Sequence, residues 1–164
     1  MTAMVAAYAN VQRRDLFMKT QKFLLWLNAA LGAVLALTPF VLFPVCTEPR
    51  PDGTPMKCWY SGVFITIMGV LLVAFSLMSL WGKRPAIFTV PSAAAALMSW
   101  LVPNGIVTLA GEGWACGLCA DPGHACRAIT LPALGVLVPM AVLVSVAVLV
   151  LSFVQPDANR IGTR

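Results

Sequence analysis

Four unbroken apolar stretches dominate the chain, at residues 23–45, 62–81, 86–110 and 129–154, and none of them contains an ionised side chain. An α-helix rises about 1.5 Å per residue, so roughly 20 residues cover the ~30 Å hydrocarbon core of a bilayer. Helices suit that setting because each satisfies its own backbone hydrogen bonds. A β-barrel would instead show many short strands of alternating polarity, whereas these runs are continuous and rich in Leu, Val and Ala. The pattern predicts an all-α integral membrane protein with four transmembrane helices. Residues 1–22 form an N-terminal segment, residues 23–154 the membrane domain, and residues 155–164 a tail.

Polar and helix-breaking residues punctuate this pattern. Pro39 and Pro103 stand near the ends of the first and third runs, and proline removes a backbone donor, so each helix should kink or stop there. Asn104-Gly105 strengthens the second break. The following residues 106–115 are expected at the membrane interface, with Trp114 at headgroup depth. Residues 1–21 read as a short interfacial helix, with Met4, Val5, Tyr8, Leu16 and Phe17 towards lipid and Arg13 and Arg14 towards headgroups, rather than as a cleavable signal peptide. Trp26, Trp59, Tyr60, Trp81 and Trp100 read as interfacial belt or packing residues. Asn28, inside the first run, should face another helix, where its amide can find a partner.

The second half repeats the plan of the first: a proline-bearing span, a loop with cysteines, and a return span rich in Gly, Ala and Val. Leu37-Thr38-Pro39 and Phe43-Pro44-Val45-Cys46 lead to Met56-Lys57-Cys58 in one half. Leu101-Val102-Pro103 leads through Cys116 and Cys119 to His124-Ala125-Cys126 in the other. Two repeated helical hairpins related by an axis along the membrane normal are therefore expected.

Composition agrees with the pattern. Residues are 60% hydrophobic and 10% charged, against roughly a quarter charged in a typical soluble domain. The net charge of +5 is a topology signal and not a nucleic-acid footprint, because the basic residues are scattered at span ends. Arg13, Arg14, Lys19, Lys22, Lys83, Arg84, Arg160 and Arg164 fall on one side, and only Arg50, Lys57 and Arg127 on the other, accompanied by Glu48, Asp52, Glu112 and Asp121. Basic residues concentrate on the cytoplasmic side. Both termini are therefore expected in the cytoplasm of a multi-pass plasma membrane protein.

All five cysteines, Cys46, Cys58, Cys116, Cys119 and Cys126, then lie in extracytoplasmic loops, where disulfides persist. The plainest reading is two structural disulfides, Cys46–Cys58 and Cys119–Cys126, each stabilising its loop by about 2–3 kcal/mol. Two others compete. Cys116-Gly117-Leu118-Cys119 is a CxxC, the spacing that permits thiol–disulfide exchange, and four-helix vitamin K epoxide reductases and quinone-linked disulfide-forming proteins carry one. Met56, Cys58, His124 and Cys126 form Met-x-Cys and His-x-Cys pairs at equivalent positions, donors that suit copper(I) or zinc.

Phe43-Pro44-Val45-Cys46, Met56-Lys57-Cys58-Trp59, Gly69, and Cys126 followed by Thr130-Leu131-Pro132-Ala133-Leu134 closely resemble the small bacterial membrane proteins grouped as domain of unknown function 4418. The likeness runs from about Gly32 to Leu137. His124 stands where that family has a second Met, and Cys116 is additional. Members are often encoded beside an ATPase and a permease of the MacB/FtsX type. The resemblance thus implies a bacterial inner-membrane protein with an accessory role near an ABC-type transporter. No span holds an ionisable group of the kind that lines ion pathways, and no phosphate loop, metalloprotease motif or nucleophile elbow is present. The expectation is a non-catalytic accessory membrane protein without a cofactor. Its surroundings are the bilayer and either a membrane protein partner or a second copy of itself, with no nucleic acid.

Overall fold

The computed structural model describes residues 2–46, 49, 53–82, 85–111, 114–117 and 126–154; the side chains of residues 2–10, 13, 14, 85, 86, 114 and 154 are outside that description. The fold is helical: α1 (Thr2–Leu37), α2 (Lys57–Trp81), α3 (Pro85–Leu101) and α4 (Leu131–Val154), with one two-stranded hairpin, β1 (Ala110–Gly111) and β2 (Trp114–Ala115). Among the described residues, three stretches are long and apolar enough to cross a membrane, Asp15–Leu42, Lys57–Trp81 and Cys126–Phe153, while the apolar helix Ile87–Leu101 is shorter.

Helix α1 is longer than the apolar pattern implies. Its 36 residues extend about 54 Å at 1.5 Å per residue, well beyond a ~30 Å hydrocarbon core. The interfacial helix expected at residues 1–21 is thus not a separate element. No Gly or Pro separates it from the first span, so the helix continues without a break. Leu16 and Phe17 are exposed as expected, while Met4, Val5 and Tyr8 are among the undescribed side chains. Gln21, buried, donates to Ser152 Oγ at 3.0 Å and holds this end of α1 against α4.

At the other end, Pro39 has the consequence foreseen for it. Lacking an N–H, it cannot continue the ladder, and Thr38–Leu42 widens into a π-turn closed by Phe43 N–H to the Thr38 carbonyl at 2.8 Å. Thr66 Oγ1 of α2 donates to the Ala36 carbonyl at 3.1 Å beside the break. Helix α2 begins at Lys57 and not near residue 62, so Cys58 and Ser61 belong to its first turns. Helix α3 ends at Leu101 and not near residue 110. The chain turns through Pro103, with Gly105 at φ +73° and Asn104 Nδ2 donating to the Trp100 carbonyl at 2.9 Å. A second π-turn, Cys126–Thr130, opens α4. The two π-turns therefore close α1 and open α4, which are not matching places in two repeated hairpins.

The helices form a ring in which α1 packs on α2 and α4, and α3 on α2 and α4. Leu35, Ile65, Leu134 and Val138 make one buried cluster and Leu72, Ala96 and Ala141 another. Small residues bring α1 and α2 together: a Cβ on Gly69 would stand 2.6 Å from the Ala36 nitrogen. Asn28 sits among all four helices. Its amide donates to Ser76 Oγ and Ser92 Oγ, and its carbonyl accepts from Ser145 Oγ, each at 3.0 Å. The outer faces are apolar, with Phe23, Trp26, Val70, Trp81 and Leu143 exposed, as lipid contact requires.

Candidate functional site at the cysteine end of the bundle

Three cysteines distant in sequence meet where α1 ends and α2 and α4 begin. After the π-turn, the chain is folded back by Val45 N–H donating to the Pro39 carbonyl at 2.8 Å. Gly62 leaves room for this segment to lie on the first turns of α2: a Cβ there would come within 3.2 Å of Val45, Phe40 and Pro39. Cys46 is thereby set over Cys58, the second residue of α2, whose Sγ donates to the Cys46 carbonyl at 3.9 Å. From the other side, Thr130 Oγ1 donates to the Phe43 carbonyl at 3.1 Å and anchors the start of α4 to the same segment. Cys126 is thus brought against Cys46, with Cys46 Sγ donating to Cys126 Sγ at 3.7 Å.

The sulfurs of Cys46, Cys58 and Cys126 all lie within 4.8 Å of one another. Cys58 and Cys126 are fully buried and Cys46 half-buried. Cys58 lies in the first turn of α2, and Cys126 opens the helical stretch that continues into α4. Both helical stretches begin at the sulfur cluster, and three converging cysteines suit it to hold a thiophilic ion.

Cys116 has different surroundings. Its N–H donates to the Leu109 carbonyl at 2.8 Å, extending the β1–β2 hairpin. Ser61, one turn along α2 from Cys58, accepts from Gly117 N–H at 2.7 Å and donates to the Gly117 carbonyl at 3.1 Å, pinning this strand end to α2. Burial pushes the Cys116 thiol up, with a smaller lowering by the Ser61 hydroxyl. Exchange thiols are typically activated in the opposite direction.

The expected residues are therefore partly regrouped. Cys46 and Cys58 are neighbours, but the disulfide expected between them is not formed; Cys58 Sγ instead contacts the Cys46 carbonyl. Cys126, expected beside Cys119, sits against Cys46 because α4 closes the ring onto α1. Cys119 and His124 lie outside the described residues, so the Cys119–Cys126 pairing, the CxxC partner of Cys116 and the His124 ligand fall there too. Met56 caps α2 and is half-buried. Cys46 is the residue that the soft-donor reading omitted. Its signal was present: it follows a proline-broken span end at the same depth as the cysteines that begin the two return spans.

Residues 28–152 match the family described as Domain of unknown function (DUF4418). No curated protein and no solved structure matches the chain.

Proposed function

The chain belongs to the DUF4418 family, and from that premise we propose that it is a non-catalytic membrane protein whose extracytoplasmic end binds a soft metal ion through Cys46, Cys58 and Cys126. The observation that carries this reading is the three sulfurs within 4.8 Å of one another, two of them in the first turns of helices. Thiolates select copper(I) and zinc over hard cations. This reading shares Cys58 and Cys126 with the soft-donor site expected from the sequence, and takes Cys46 as the third ligand.

The accessory role implied by the family resemblance supplies the setting. In it, the protein sits in the bacterial inner membrane with both termini in the cytoplasm and assists a larger complex such as a MacB/FtsX-type ABC system. The distribution of basic residues along the sequence supports that orientation.

Metal analysis of protein purified from native membranes under reducing conditions tests the reading. Near-stoichiometric copper or zinc is expected, and a Cys58→Ser variant that remains folded should lose it. Wild-type protein that retains neither metal after loading would overturn the proposal.

A further inference from the structure

The same three sulfurs restrict which soft ion fits. We infer that the site takes copper(I) in a three-coordinate, all-thiolate arrangement, an inference that rests on the soft-metal reading above. A metal centred among three sulfurs stands at the circumcentre of their triangle, at least half the longest sulfur–sulfur separation from each. With one separation at 3.7 Å and the others reaching 4.8 Å, a point equidistant from the three sulfurs lies about 2.4–2.8 Å from each, slightly longer than the ~2.3 Å metal–thiolate bond. The triangle therefore accepts an ion in its plane with a contraction of a few tenths of an ångström.

Zinc would need more. It is almost always four-coordinate in protein sites, whereas the monovalent copper ion is content with three sulfurs. Among the described His, Cys, Asp and Glu side chains, these three cysteines are the group placed to hold an ion. The next cysteine in the described chain, Cys116, contacts Ser61, and the neighbouring Gly117 backbone is fixed to the same hydroxyl. Copper(I) bound by three thiolates carries a net charge of −2, more negative than the zinc equivalent. The two helix N-termini favour that charge, and Lys57 and Arg127 stand next in sequence to Cys58 and Cys126. Cys46 is the one member of the trio that is not fully buried, so an ion enters past it.

The full chain in lipid nanodiscs, reduced and kept free of oxygen, can be titrated with copper(I) and with zinc(II), each against a competing chelator. Copper(I) should bind at one ion per chain and displace zinc. X-ray absorption should show three sulfur neighbours and no nitrogen. Cys116→Ser should bind copper as the wild type does. Cys46→Ser, Cys58→Ser and Cys126→Ser should each weaken it by at least the ~100-fold that even an outer-shell change can cost. Zinc held more tightly than copper, a fourth protein ligand in the spectrum, or copper lost in Cys116→Ser would overturn this inference while leaving soft-metal binding in place. Retention of neither ion would overturn both. The wild-type titration and spectrum decide the matter even where a variant fails to fold.

Discussion

The Sγ of Cys46 donates to the Sγ of Cys126 at 3.7 Å, joining the segment after α1 to the start of α4 across 80 positions of sequence. A disulfide holds its sulfurs about 2.05 Å apart, so closing this bond takes a movement of only about 1.7 Å. Treatment with diamide should therefore link Cys46 to Cys126. Each thiol gives up a proton, and the two electrons reduce the azo bond of diamide to a hydrazine. The oxidised protein should no longer retain copper(I), because two of its three ligands are consumed, and a phosphine reductant should restore binding. Non-reducing peptide mapping checks the linkage. A dominant bond from Cys46 or Cys126 to Cys116 would count against the arrangement of the cluster.

Packing between α1 and α2 makes a paired prediction. A Cβ on Gly69 would meet the Ala36 nitrogen at 2.6 Å, the Gly32 carbonyl oxygen at 2.8 Å and the Ala36 Cα at 2.9 Å, all backbone atoms that cannot turn aside. Gly69→Ala should therefore force the helices apart at a cost of about 1–3 kcal/mol, as overpacking does elsewhere. A Cβ on Gly135, also helical, meets nothing within 4 Å. Gly135→Ala should thus be neutral or stabilising by up to about 1 kcal/mol, since alanine is the better helix former. Thermal unfolding in one detergent, followed by circular dichroism, compares the two. Equal effects would mean that the close approach of α1 and α2 is not maintained.

Such contacts show how far the sequence could be read. Asn28 announced a helix–helix partner because an amide in an apolar run has few alternatives, and Pro39 announced the end of α1 because it has no N–H to give. Helix limits were harder. Residues 102–110 are apolar, yet Pro103, Asn104 and Gly105 turn the chain, so α3 is shorter than its hydrophobic run. Lys57 and Ser61 looked like loop residues, yet the first turns of a helix accept both. The sulfur cluster was the least legible feature. Pairing cysteines by nearness in sequence joins Cys46 to Cys58, but the meeting of Cys46 with Cys126 depends on the helix ring closing, which no local pattern encodes.

Asn28 should be the polar side chain most costly to remove from within the bundle. Its three hydrogen bonds, to Ser76, Ser92 and Ser145, reach each of the other helices. Interhelical bonds of this kind contribute roughly 0.6 kcal/mol each, and at most ~1.7. Asn28→Leu should therefore lower stability by about 2–4 kcal/mol, and Ser76→Ala, which removes one of the three bonds, by no more than about 1.7 kcal/mol. Denaturant titration in mixed micelles measures both. A smaller loss for Asn28→Leu than for Ser76→Ala would show that the amide is not the centre of the network.

Cys116 supplies a test by pH. The thiolate is the nucleophile in alkylation, and burial pushes this thiol up, with the Ser61 hydroxyl lowering it by less. Iodoacetamide should therefore modify Cys116 more slowly at neutral pH in the folded protein than in denaturant, and its pH midpoint should be shifted upward. Removing the hydroxyl with Ser61→Ala should raise the midpoint further, because the lowering contribution is lost. The sign carries over to stability. The native form favours the neutral thiol, so this group's contribution is whole below the pKa of the unfolded thiol. It falls as pH rises from there through the higher folded value. Peptide mass spectrometry isolates Cys116 from the other cysteines. A folded-state midpoint below that of the denatured chain would mark an activated thiol, and would bring forward exchange chemistry at Cys116 and Cys119 in place of metal binding at Cys46, Cys58 and Cys126.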